Sequence, residues 1–497
     1  MTSGPALRLP LSLQARVALP APALVGLALG GVLTGLVIGE LILVESYQLA
    51  LAAALAPPIA VAVWRRPLLA VPVWLLLAPL VMAVDGSGAR RVYWLIHRAL
   101  PLAALLALLV RPMLVSGVRR LPRPGLPELL MGGYLAATLA SIAYASPTPL
   151  ADAFVLYDRV FIPITLYLII RLSEPDDDAL RRWFPVLAVL VLSQAVFGLL
   201  SWVAPELLPG PWLNRAGNRT TGSLSHANVY AISLLFAAAL SLHLGSKAPR
   251  GTLRRLLPPV LFVIAVSMAV VTLSRAAWLA ALVVLAAIAR LRPRTGVAVL
   301  MIAAATLTVV LQTNVLTVDG QRLSDRLYSQ QSEQSALSRV PVVVGSLRMF
   351  EERPVAGWGY NRFDEVNWQF QRGIDRLYVP DKEHASHNLY LTILAEQGLL
   401  GIVLYLGPAV VLLARARRLR VWRARAPDRT LAVGVCAVLV GHAVVSQFSN
   451  MRVPFGLGVW WICLGLLATV IARAQRSGAS PHEPPQRASV PLREGPQ

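Results

Sequence analysis

The chain has 497 residues, 56% of them hydrophobic and 14% charged. A soluble chain carries about a quarter charged residues, so there is too little polar surface here for a water-soluble body, and lipid must solvate most side chains. The formal charge of +21 would suggest nucleic acid in a soluble protein. Here the basic residues fall between long apolar runs, which reads as membrane topology and excludes a nucleic-acid partner.

Apolar runs fit to span occur at about 17–39, 41–64, 67–84, 94–115, 128–144, 153–171, 184–204, 226–244, 256–273, 276–290, 296–312, 387–414, 430–448 and 454–472. A crossing needs roughly 17–25 residues. The first run lacks a small-residue cleavage site and reads as a retained helix. Only the Ser274–Arg275 corner separates 256–273 from 276–290.

With the N-terminus cytoplasmic, the inner loops hold the basic clusters 65–66, 111–123, 171–182, 247–255, 290–294 and 415–429. The inner side then collects 29 of the 46 Lys and Arg, and the outer side 17, nine of them in one loop. Acids divide the other way, 8 inside and 17 outside. The positive-inside rule requires this asymmetry. The expected fold is an all-α polytopic integral membrane protein with about fourteen transmembrane helices (12–14) and both termini cytoplasmic. Residues 1–16 form the N-terminus, 17–312 the first eleven helices, 313–386 a large outer loop, 387–473 the last three helices, and 474–497 a disordered cytoplasmic tail rich in Pro, Ser and charge.

The outer loop has nine basic and ten acidic residues, a helix-like stretch at 335–350, and the turn Arg353-Pro-Val-Ala-Gly-Trp-Gly-Tyr360. Its aromatics, Trp358, Tyr360, Phe363, Trp368, Phe370 and Tyr378, argue against disorder. Cys436 and Cys463 fall in apolar segments and read as packing residues.

Charge at membrane depth costs at least a few kcal/mol and marks candidate sites. Arg219, in Arg219-Thr-Thr-Gly222-Ser-Leu-Ser-His226-Ala-Asn228, is either a snorkelling interfacial side chain or a fork for phosphate. Arg275 sits at a corner with no acid near it in sequence, so it marks a hairpin tip or needs an anion. His387, in Ser386-His387-Asn388, begins the twelfth run; it is either a polar anchor or a base, since the positive end of a helix disfavours the imidazolium. Gly398 and Gly401, further along that run, would let another helix approach closely. Asp158 and Arg159 point in different directions and read as structural partners of other helices. His384 and His387 have a His-x-x-His spacing beside Glu383, weak support for a metal without thiolates or a clear carboxylate set. No nucleotide-binding loop or nucleophile elbow is present, and no cofactor is expected.

The string His387-Asn388, nine residues, Gly398-Leu-Leu-Gly401 resembles the signature of the O-antigen ligase and polymerase family. Thr272-Leu-Ser-Arg275-Ala is similar to its Ser-Arg corner, and Arg219-x-x-Gly222 leading to Asn228 to its Arg-x-x-Gly segment. Pro354-Val-Ala-Gly357-Trp-Gly359 resembles its loop turn, with Arg339 at the usual upstream position. The resemblance covers roughly 210–405 and departs at Ser225-His226, where the family often has Gly or Phe with Asn-Pro.

The resemblance implies a glycosyltransferase C-type fold in a bacterial inner membrane, working on the periplasmic side without metal. A glycan would leave undecaprenyl diphosphate for an acceptor hydroxyl on lipid A core, another glycan or a protein. Arg219 and Arg275 would stabilise the leaving diphosphate and His387 would deprotonate the acceptor, with inversion. Arg339, Asn388, Arg215 and His384 would contact substrate. A polymerase of the same family shares these motifs. A lipid-linked glycan flippase would use the same arginines, but it calls for repeat symmetry between halves and has no need of a basic histidine.

Overall fold

The computed structural model describes residues 47–82, 87–114, 121–213, 219–224, 226–245, 253–312, 339–371, 373, 386–423 and 426–479. The run 17–39, the ends 1–16 and 480–497, Arg215, His384, Tyr378 and loop residues 313–338 lie outside them. Met1–Ala62 forms one unit, helical where described, and Val63–Gln497 another. The second unit holds every described candidate residue.

Every other apolar run forms a helix, and no strand occurs among the described residues. After α1 (Tyr47–Arg65) come α2 (Ala70–Val81), α3 (Arg90–Leu114), α4 (Leu126–Ala145), α5 (Pro149–Ser173), α6 (Phe184–Val203) and α7 (Ala227–Gly245). Then follow α8 (Leu253–Val271), α9 (Arg275–Leu291), α10 (Pro293–Gln312), the loop helix α11 (Arg339–Glu352), α12 (Leu389–Arg418), α13 (Ala426–Phe448) and α14 (Pro454–Ala479). Among the described residues, eight helices are long and apolar enough to cross a membrane, or nine if the helices flanking Arg66 are one broken span. The protein is a multi-pass membrane protein. The close pair at 256–290 is two helices, α8 and α9, divided by Thr272-Leu273-Ser274.

Helix α7 is apolar all round and every residue in it is buried, as expected of a helix with no face left for lipid. It packs on α6, α8, α9 and α13. Its serines return their hydroxyls to the preceding turn, Ser233 to Val229 O at 2.5 Å and Ser241 to Ala237 O at 2.7 Å, so no hydroxyl is stranded. Helix α14 is nearly as buried and lies on α5, where Gly465 meets the Tyr167 carbonyl and the Ile170 side chain. A small residue there allows the close approach.

One end of the bundle is tied by charge. Arg473 bridges Asp177 (2.7 Å) and Asp428 (2.8 Å), and Arg476 meets Glu174 (2.5 Å). These pairs carry α14 past its apolar run to Ala479, so the helix extends into what the sequence assigns to the tail. Chain alternation puts the corners at 145–149, 204–226, 272–274, 386–388 and 449–453 at the other end.

Helices α3 and α5 each contain a π-helical turn, Trp94–Ala99 and Tyr157–Phe161. The turns carry His97-Arg98 and Asp158-Arg159. Arg98 grips Asp158 through two bonds of 2.7 and 2.8 Å, and buried His97 lies 3.2 Å from the Asp158 carbonyl. Arg159 points away, towards Asn361 of the loop. The expected divergence of this adjacent pair is observed.

Helix α12 is interrupted. Gly398 has φ 62° and ψ −158°, outside helical geometry. In an unbroken helix, the amides of Leu399 and Leu400 would bond to the carbonyls of Ala395 and Glu396. Instead they bond to Pro354 O (2.8 Å) and Val355 O (3.1 Å). The vacated carbonyls accept from Trp358 N (3.1 Å) and Gly359 N (2.8 Å). The loop turn thus replaces the missing helical bonds one for one. A Cβ on Gly398 would strike the Val355 backbone, and one on Gly357 the Glu396 backbone. The close approach expected at Gly398 is made by the loop rather than by another helix. Gly401 faces Gln397 of its own helix.

The loop packs a small core, Val342, Met349, Phe363 and Val366 with Trp358 and Phe370, against Ala395 of α12. It is pinned to α4 by Tyr360 N to Ser141 Oγ (2.8 Å) and Tyr144 OH to Ala356 O (3.1 Å).

Candidate active site

The corner before α7 is built on Gln194 of α6. The Gln194 amide nitrogen donates to Ser223 Oγ (2.8 Å), its oxygen accepts from Ser223 N (3.1 Å), and its carbonyl accepts from Tyr230 OH (2.9 Å). Gly222, at φ 54°, lies where a Cβ would meet Gln194 and the Tyr230 ring. Thr220 and Thr221 are buried, while Arg219 is exposed. The Arg-x-x-Gly spacing therefore anchors a buried turn and leaves the guanidinium outside it.

Asn228, in the first turn of α7, accepts a 2.5 Å bond from Ser274 Oγ. Ser274 caps α9 through Ala277 N, the usual task of a Ser in that position. The first residue of α9 is then Arg275, which is exposed. Arg339 is the first described residue of α11. A cation at a helix N-terminus is opposed by the helix dipole, so Arg275 is not placed there for helix stability. The two arginines stand within electrostatic reach, and burial first and Arg275 second push the Arg339 guanidinium pKa down. Two guanidiniums and the N-terminus of α9 form an anion-attracting arrangement.

Asn388 caps α12, its Oδ1 accepting from Tyr390 N (2.9 Å) and Leu391 N (3.0 Å). Its Nδ2 donates to Gln447 Oε1 at 3.0 Å, fixing α12 to the end of α13. Ser386 closes the turn with bonds to the Asn388 amide and carbonyl. His387 stands exposed between these two ordered residues.

A second imidazole joins the group. His226 shares a 3.1 Å hydrogen bond with Ser449 Oγ. Its pKa is pushed down by burial, then by the charges of Arg219 and His387. Arg219 and His387 are therefore both electrostatic neighbours of His226. The contacts Asn228–Ser274, His226–Ser449 and Asn388–Gln447 sew the starts of α7, α9 and α12 to the end of α13. Arg219, Arg275, Arg339 and His387 share this end of the bundle. Arg215 and His384 lie outside the described residues.

Sequence reasoning passed over three groups. His226 registered only as a departure from a motif. Glu396 and Arg452 form a buried 2.8 Å ion pair directly behind the break in α12, with Arg452 also 4.8 Å from the centre of the Tyr360 ring. The available signal was Glu396 itself, a lone acid inside an apolar run.

Residues 260–406 match the family model described as O-Antigen ligase, a segment that contains Arg275, Arg339, His387 and the α12 break but not Arg219. No curated protein matches the chain. The motifs, the helical membrane fold and the matched segment agree: over residues 260–406 this polytopic membrane protein is similar to the O-antigen ligase family.

Proposed function

We propose that the chain is an inverting, ligase-like glycosyltransferase. It takes a glycan from undecaprenyl diphosphate and places it on an acceptor hydroxyl, such as that of a lipid A core, at the periplasmic face of the inner membrane. The observation that carries this reading is the convergence of Arg219, Arg275 and Arg339 with His387 at one end of the bundle.

In this reading the diphosphate lies against the N-terminus of α9, with Arg275, Arg339 and Arg219 on its oxygens. His387 takes the acceptor's hydroxyl proton as its oxygen attacks the anomeric carbon from the face opposite the diphosphate. A carbon–oxygen bond forms to the acceptor, the bond to the diphosphate breaks, and the electron pair leaves on a phosphate oxygen. Charge grows on that oxygen in the transition state, where fixed cations act most strongly. Removing one such donor typically costs about 10²–10³-fold in rate. The guanidiniums supply the neutralising charge, so no divalent cation is required. Asn388 has its side chain committed to the cap and to Gln447, and we assign it to positioning His387.

The test is transfer by the purified full chain in EDTA, with lipid-linked glycan and lipid A core. Wild type should transfer with inversion, and His387→Ala and Arg275→Ala should lose at least about 10²-fold. Transfer by both variants at the wild-type rate sinks the mechanism. Elongation of the donor glycan with lipid A core untouched would make the protein a polymerase. Movement of donor across liposomes without covalent transfer would make it a flippase.

A further inference from the structure

A second polar site lies behind the first. Where α4, α5, α12 and α14 meet the loop, a cavity is lined by Arg159, Arg452, Tyr360, Tyr134 and Tyr405, with Leu389 at its edge. Its charge is unbalanced at close range. Arg452 is buried and matched by Glu396 at 2.8 Å. The half-buried Arg159 has a 3.4 Å bond to Asn361, whose amide donates in turn to buried Asp152 at 2.7 Å. The acids within its electrostatic reach are Glu396, already paired with Arg452, and the exposed Asp364. Two guanidiniums thus share one carboxylate in direct contact, and undercompensated charge in such a place is costly.

The second observation is independent of charge. The Tyr360 hydroxyl is buried beside Arg452, whose guanidinium can only donate to its oxygen, so the hydroxyl proton has no acceptor among the described groups. A buried hydroxyl left this way is a donor awaiting an acceptor. The cavity has room for about one water-sized guest, too little for a sugar. A single water would meet the hydroxyl's need but not the charge's. A monatomic anion meets both, and the edges of the tyrosine rings carry the positive end of their quadrupoles.

We propose that this cavity is a halide site, occupied by chloride held between Arg159, Arg452 and the Tyr360 hydroxyl. The anion ties the loop turn to α5 and to the first turns of α12. Leu389, at the cavity's edge, is two residues beyond His387, so occupancy stiffens the helix start that presents the proposed base. That last consequence rests on the glycosyltransferase reading; the binding does not.

The test therefore reads binding apart from activity. The full chain in detergent is melted in sodium gluconate, chloride, bromide or sulfate at matched ionic strength. Wild type should melt a few degrees higher in chloride and bromide, saturably, and should gain nothing in sulfate. Arg159→Gln should lose the increment while melting no lower than wild type in gluconate, since it removes an undercompensated charge. Tyr360→Phe, which keeps the ring, should shrink the increment and serves if the first variant folds poorly. In crystals grown in bromide, anomalous density should lie between the two guanidiniums. Equal melting in chloride and gluconate, an undiminished increment in Arg159→Gln, or the same gain from sulfate would overturn the proposal. A real increment with inactive enzyme would leave the halide site standing and count only against the glycosyltransferase reading.

Discussion

At the scale of single residues, the second histidine makes the sharpest prediction. Burial first, then Arg219 and His387, hold the folded pKa of His226 below its ordinary 6.5. As pH falls below 6.5, the unfolded chain takes up a proton that the folded chain refuses. Stability from this group is thus full above pH 6.5 and is lost as pH falls towards the folded value. His226→Asn should lose less melting temperature than wild type between pH 7.5 and about pH 5; parallel slopes would show that the imidazole is not held neutral. Glu396 gives a second prediction. Glu396→Gln leaves buried Arg452 without its carboxylate, and breaking one side of such a pair costs about 3–5 kcal/mol. Chemical denaturation should show that loss, and the double variant with Arg452→Gln should recover part of it. Neither residue was legible as a partner in the sequence. The mates Ser449 and Arg452 are 223 and 56 residues away, and only the packing of α13 and α14 brings them in.

At the scale of elements, motif order along the chain points to the corners between helices without the reasons for them. The Ser-Arg corner was visible, and the structure shows the serine acting as a cap that also receives α7 through Asn228. The double glycine was visible too, but its purpose was misread. Periodicity describes helix faces, and it has no way to signal a helix opened for a loop from elsewhere. The break makes Gly398 testable. At φ 62° and ψ −158°, position 398 is open essentially to glycine alone. Gly398→Ala should cost about 2 kcal/mol or more from backbone strain and the clash with Val355. A Gly398→Ala protein that melts with wild type would mean that the exchange of bonds is not maintained.

For the whole molecule, hydropathy and charge gave the helical membrane fold and the place of nearly every helix, because apolar length and loop charge are properties of sequence alone. The buried status of α7 and α14 was less accessible. Both read as ordinary apolar runs, and only tertiary packing distinguishes a helix encased by protein from one facing lipid. Sidedness follows from the charge count and is checked directly. A reporter enzyme active only outside the cytoplasm should work when fused after Asp364 and fail when fused after Trp422. The reverse pattern would put the proposed site on the wrong face for a lipid-linked donor that has already crossed.

The bond exchange between the loop turn and α12 also bears on how the chain is made. Gln397 lies nine residues beyond Asn388, roughly 13 Å along the helix axis, so the break falls within the apolar length of α12, where lipid offers bare amides no partner. The turn that satisfies them is synthesised about forty residues earlier, ahead of the span it completes. During biosynthesis α12 must therefore enter the bilayer either as a temporary unbroken helix or with its partner already beside it. In both cases the loop acts as an internal chaperone for an apolar helix. Substitutions at Gly357 should accordingly appear in cells first as failed insertion and proteolytic loss, before any catalytic defect could be measured.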